Sequence, residues 1–170
     1  MSHHYLPWIV GFTFSVIVGH VAIKAAAKQM WVAVDLDPDK PPLRPSPWQP
    51  AAIGLTERAL FTAAILTGNG GFVAVWLGIK TVGQFKTWGV DQKGTTTGRP
   101  VLGRVVYNNF LLGQALSIGF AAAGAYSAIL LRAGKLTPAL LVVLSTLLGT
   151  TILAVWIRHS GRVSLSRDKG

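Results

Sequence analysis

Glu57 is the one carboxylate that falls inside a long apolar stretch of this sequence; Asp35, Asp37, Asp39, Asp91 and Asp168 all lie in polar segments. Arg58 follows it directly. Further along, the run Arg104-Val105-Val106-Tyr107-Asn108-Asn109, with Gln114 beyond, puts a guanidinium, a phenol and amides at the entrance to another apolar stretch. Arginine offers a fork of donors that fits phosphate or carboxylate, and amides can fix a ligand's orientation. Arg58, Arg99, Arg104, Tyr107 and Asn108 are therefore candidates for binding an anion or a lipid headgroup. The competing reading is structural: Glu57 and Arg104 neutralise each other as an ion pair, while the amides cap helices and bond across them.

Other polar features point to less. His20 stands alone one turn before Lys24, where it can satisfy a neighbour or reach headgroups, and His3-His4 has no further ligand to join it. Asp35-x-Asp37-x-Asp39 lacks the glycine and distal glutamate of an EF-hand loop. No phosphate-binding loop, HExxH, GxSxG or dinucleotide fingerprint occurs. The sequence indicates no catalytic residue, metal or cofactor. Glu57-Arg58 with Gly103-Arg104-x-x-Tyr107 superficially resembles the ER and GRxxY elements of the membrane-associated glutathione-transferase family. Phe61, Thr62 and Ala63 follow where that family carries an inward Asn and Glu, and GRxxY here opens a span where the family closes one, so no membership is read from it.

The elements that must position these residues come from hydropathy. The 170 residues are 51% apolar and only 13% charged, about half the charged share of a soluble domain. Stretches free of Asp, Glu, Lys and Arg cover 1–23, 59–79, 105–131 and 136–157. At about 1.5 Å per residue, roughly 20 such residues cross the hydrocarbon of a bilayer. A soluble bundle would show polar residues every third or fourth position. The expected fold is all-α: a polytopic transmembrane helical bundle in one membrane domain. Three long spans at about 6–24, 101–131 and 137–157 are joined by a hairpin of two shorter helices, 51–67 and 70–88, turning at Gly68 to Gly71. A proline-rich cytoplasmic loop is expected at 35–50 and a basic, mobile tail at 158–170. The net charge of +10 flanks apolar spans, so the partner it implies is anionic lipid and not nucleic acid.

Positive charge decides between a hairpin and a single crossing at 51–88, because cytoplasmic loops collect Lys and Arg. Thr67-Gly68-Asn69-Gly70-Gly71 makes a poor helix centre and a good turn. If the chain passes straight through, the 16 cations divide 7 against 9 between the two sides; if it folds back, 14 share one side and only Arg132 and Lys135 face the other. The hairpin satisfies the rule. It places the N-terminus outside a cell (cytoplasmic) membrane and the C-terminus inside. Whether the two arms cross fully or re-enter is left open. The first span lacks cations before it and has Lys24 and Lys28 after it, which reads as an uncleaved anchor.

Small residues four apart recur in the spans: Gly11, Ser15 and Gly19; Gly70, Ala74 and Gly78; Gly113, Ser117, Ala121 and Ala125; Ser145 and Gly149. Membrane helices associate through close packing, and such stripes let backbones approach. These faces either close one compact bundle or meet another subunit. The functional expectation is a non-catalytic multi-pass protein that oligomerises or docks into a larger membrane complex, a simple pore being one form. The alternative is a membrane-embedded enzyme or lipid-binding protein using the Arg/Tyr/Asn cluster at the cytoplasmic interface.

Overall fold

The structure, a computed structural model, describes the backbone of residues 5–33, 48–91 and 101–167, and the side chains of 5–30, 32, 51–83 and 108–159. The described elements are all helical. α1 (Leu6–Thr13) runs through a π-helical turn (Phe14–Val18) into α2 (Gly19–Ala33); α3 (Trp48–Leu66), α4 (Gly71–Asp91), α5 (Val101–Arg132) and α6 (Leu136–Arg167) follow. Among the described residues, three helices are long and apolar enough to cross a membrane, over Leu6–Met30, Asn108–Arg132 and Leu136–His159. The hairpin arms are not among them. Glu57 and Arg58 divide α3, and the apolar part of α4 runs Gly71–Gly83, about 20 Å at helical rise.

The element boundaries follow local chemistry. Pro7 sits in the first turn of α1, where a missing N–H leaves no bond unmade. α3 begins at Trp48, earlier than the expected 51, and Pro50 falls in its first turn for the same reason. The rest of the proline-rich connection lies outside the described residues. α6 continues to Arg167, so Arg158, Arg162 and Arg167 stand on a helix where a mobile tail was expected. No proline falls in this stretch, and Arg158, Arg162, Leu165 and Arg167 favour the helix.

The chain reverses at Thr67 to Gly70. Gly68 adopts φ 79°, its N–H donates to the Ile65 carbonyl, and the Asn69 N–H donates to the Ala64 carbonyl. That pair of bonds is a Schellman cap, in which a left-handed glycine lets the last carbonyls of a helix be satisfied. Gly134, at φ 72°, repeats it: its N–H donates to Leu131, and that of Lys135 to Leu130. Both glycine corners follow from the cost of the left-handed region to any residue with a Cβ.

α5 is the hub, packing on α1, α2, α3 and α6. α3 runs parallel to it: Glu57 meets Gln114, Arg58 meets Ser117, and Phe61 shares a cluster with Ala121. α1 runs antiparallel, since Gly11 meets Gly124 and Gly19 meets Phe120. The corners at Gly68 and Gly134 therefore lie at the end of the bundle where α1 begins. Gly11 and Gly124 bring two backbones into contact. A Cβ on Gly11 would stand 2.6 Å from the Gly124 carbonyl oxygen, and one on Gly124 would run into the Gly11 carbonyl oxygen. The π turn adds a residue to one turn of the helix and leaves both Phe14 and Ser15 buried. Phe14 packs at 5.6 Å on Phe120, with Val142, Val143 and Leu147 of α6 completing that cluster.

Burial is inverted relative to a water-soluble bundle. No leucine or isoleucine among the described residues is buried; the buried apolar set is alanine at seven positions, with Phe14, Phe61, Phe120 and Val73. The buried polar set is Ser15, Glu57, Arg58, Thr62, Ser117, Ser127 and Thr150. Large aliphatic side chains point outward, among them Ile17, Val21, Val75, Ile79, Leu141, Leu144, Leu148, Ile152 and Val155. Of the apolar window of α6, only 6% is buried.

Candidate functional site

Most of the buried polar groups, all but Ser127 and Thr150, gather where α3 meets α5, α4 and the first helical rod. Glu57 and Arg58 are adjacent, about 100° apart around α3 at 3.6 residues per turn, so they face different neighbours. Glu57 faces α4 and α5. Its Oε1 and Oε2 accept from Lys80 Nζ at 2.6 and 2.8 Å, Oε1 also accepts from Trp76 Nε1 at 3.0 Å, and Oε2 from Gln114 Nε2 at 3.3 Å. Lys80 lies 5.3 Å from the centre of the Phe110 ring, a second favourable site for its charge.

Arg58 faces the other way. Its Nη1 donates to Ser117 Oγ at 3.2 Å, and Nη2 lies 3.4 Å from His20 Nδ1. Gln114 and Ser117 are three apart on α5, so one helical face serves both charged residues. A turn further along α3, Thr62 Oγ1 donates to the Arg58 carbonyl at 2.7 Å, and its hydroxyl and that of Ser15 share a 2.7 Å bond.

Charge balance separates the two halves. The Glu57–Lys80 pair is the one salt bridge among the described residues. With three donor groups around it, the carboxylate is held and not open to a substrate. Arg58 is 2% exposed, its Nε has no partner, and neither does Gln114 Oε1. Unpaired buried polar atoms are costly, and each half of the network carries one: Arg58 Nε on one side and, on the other, the Oε1 of Gln114, whose Nε2 donates to Glu57.

The candidates from the sequence fall in several places. Arg58 is brought into the network; Asn108 is exposed on α5. Arg104 and Tyr107 belong to α5, but their side chains, like all of Arg99, lie outside the described residues. The Glu57–Arg104 pairing therefore falls on an undescribed side chain, and the partner described for Glu57 is Lys80. Gly11, Ser15 and Gly19 line the contact with α5; Ser117, Ala121 and Ala125 are buried on α5, while Gly113 has open space beside it. Gly70 in the corner, Ala74 and Gly78 on α4, and Ser145 and Gly149 on α6 are exposed. His3-His4 and Asp35 to Asp39 lie outside the described residues, among which no cluster of His, Cys, Asp and Glu could hold a metal.

Sequence reasoning missed Lys80, Trp76, Gly124 and Ser127. A signal for the first two was present. Glu57 and Lys80, Phe61 and Trp76, and Ala64 and Val73 are each symmetric about the bond joining Gly68 to Asn69, the register of an antiparallel helical hairpin. No protein-family model, curated protein or solved structure matches this chain.

Proposed function

We propose that this protein is a multi-pass membrane protein without catalytic activity, acting as a subunit of a homo-oligomer or of a larger membrane complex. The observation that carries this reading is the inverted burial: alanines and hydroxyls inside, leucines and isoleucines outside. In water, fully burying an aliphatic side chain is worth roughly 1.5–3 kcal/mol, and this chain forgoes that gain at its largest side chains. In lipid nothing is lost, because the surrounding tails are as apolar as leucine. The two corners at Gly68 and Gly134 lie at one end, and Lys24, Lys28 and Arg158 lie toward the other, which supports an outside N-terminus and a cytoplasmic C-terminus.

Assembly is favoured over a water-filled pore by the outward faces of α4 and α6. They present Phe72, Val75, Ile79 and Val82, and Leu141, Leu144, Leu148 and Ile152, interspersed with Gly78, Ser145 and Gly149. The Ser145 and Thr151 hydroxyls donate to carbonyls of their own helix, leaving no hydrogen for a lining water. Such a surface suits lipid or another helix. The alternative, an anion-binding cluster at the cytoplasmic interface built on Arg58, Arg99, Arg104, Tyr107 and Asn108, is less favoured because Arg58 is enclosed and bonded to Ser117 and His20.

The test is the subunit composition of the full chain extracted in mild detergent from washed membranes. A particle heavier than one chain, reduced to the monomer by Gly149→Leu or Gly78→Leu, is the expected result. A soluble protein, or a membrane monomer unaffected by either change, overturns it.

A further inference from the structure

A cavity of about 430 Å³ opens between α1, α5 and α6 at the end of the bundle marked by the Gly134 corner. Its walls are apolar, with Leu6, Val10, Leu131, Leu140 and Val143 among them, and one polar residue, Ser127, lines it. Ser127 is 1% exposed and its Oγ has no hydrogen-bond partner. That is out of character for this chain. Thr62, Thr67, Ser145, Thr146, Thr150 and Thr151 each donate to a carbonyl three or four residues back. Ser127 is the one buried hydroxyl among the described residues without a partner, and it is the one polar residue in the wall of this cavity.

At the same end of the bundle the charge is positive. Arg132 closes α5, with its guanidinium 5.7 Å from the centre of the Trp8 ring, and Lys135 stands exposed in the corner. This cation–π contact leaves the guanidinium N–H groups available to an anion. Neither cation forms an ion pair among the described residues. Ser127 lies five residues below Arg132, about 7.5 Å along the helix. The polar layer of a leaflet is about 5–7 Å deep, so the two residues are separated by about its depth along the helix.

We propose that the cavity holds an acyl chain of one anionic phospholipid, its phosphate on Arg132 and Lys135 and its ester carbonyl accepting from Ser127 Oγ. The three features match three parts of one molecule: apolar walls for the chain, an unmet donor at the depth of the ester, and paired cations at the level of the phosphate. A free phosphate would leave the cavity and Ser127 unused. The inference rests on the membrane reading above, but not on the assembly reading.

The experiment uses the full chain in nanodiscs of phosphatidylglycerol or of phosphatidylcholine, then exchanged into mild detergent, with retained lipid counted by native mass spectrometry. One phosphatidylglycerol per chain should survive exchange, and phosphatidylcholine should not. Ser127→Ala should lower retention about fivefold, the effect of one buried hydrogen bond, with no loss of melting temperature. Arg132→Gln with Lys135→Gln should lower it about tenfold or more, and Val143→Phe should exclude the chain. Lys24→Gln with Lys28→Gln, at the other end, should change nothing. Equal retention of both lipids, or of phosphatidylglycerol by wild type and Ser127→Ala, overturns the proposal. An inserted protein that retains no lipid overturns it alone; a protein that never enters membranes overturns the membrane reading as well.

Discussion

Glu57 and Lys80 stand at equal distances from the centre of the hairpin corner, and their 2.6 Å ion pair joins α3 to α4 in the interior. The pair converts a local event, the left-handed turn at Gly68, into a tertiary one. A hairpin slipped by one residue would rotate one partner by about 100° and leave a charge buried alone.

That relationship predicts strong coupling. Glu57→Gln or Lys80→Met should each cost about 3 kcal/mol of stability, because each leaves its partner uncompensated in a low-dielectric interior. The double variant should cost clearly less than the two single losses together. A double-mutant cycle from unfolding in mild detergent measures this, and simple additivity would show the pair to be uncoupled.

Arg58 should behave oppositely. It is buried, no carboxylate pairs with it directly, and its Nε is unmet. Arg58→Met should leave stability within about 1 kcal/mol of wild type or raise it, since apolar replacement of a poorly satisfied buried charge is often neutral or favourable. A loss as large as that of Glu57→Gln would mean that Ser117 and His20 satisfy the guanidinium better than their distances imply.

Gly124→Ala should destabilise by about 1–3 kcal/mol, the range for overpacking, because the new methyl meets the Gly11 carbonyl and Ser15 Cβ. Gly78→Ala, with nothing within 4 Å, should instead stabilise the monomer by about 0.5–1 kcal/mol through helix propensity. Thermal melts of the two variants side by side separate close approach from backbone entropy.

At the corner, Gly68→Ala should cost about 1–2 kcal/mol and Gly70→Ala much less. Both sites are open, but only Gly68 holds a positive φ. Equal effects would place the reversal elsewhere.

The chain has no cysteine, so single cysteines report topology directly. Asn69→Cys and Ala133→Cys should react with an impermeant maleimide added to intact cells, and Lys93→Cys only after permeabilisation. Labelling of Asn69→Cys from the cytoplasmic side alone would reverse the orientation.

Much of the architecture was legible because it depends on quantities that sum along the chain. Apolar length marks the three long helices, glycine marks both corners, with asparagine beside it at the first, and the imbalance of cations across the 68–71 corner points to a reversal there. The stripe of Gly11, Ser15 and Gly19 was legible too, because a four-residue spacing names a helix face. A spacing does not name what lies opposite that face. The partner of Glu57 depends on how far α4 rises beside α3 and how each is rotated, so Lys80 and Trp76 emerged only from the packed hairpin. Gly124 stands one residue before the stripe ending at Ala125, and the π turn at Phe14 to Val18, which shifts the register of the first helix, is not signalled by its residues. Ser127 reads in the sequence as one more small residue, and only the assembled walls of α1, α5 and α6 make it the lone polar residue lining an apolar cavity. Hydropathy and turn chemistry are set by each residue on its own; which side chains meet is set by helix rotation and offset, and these exist only once the helices pack.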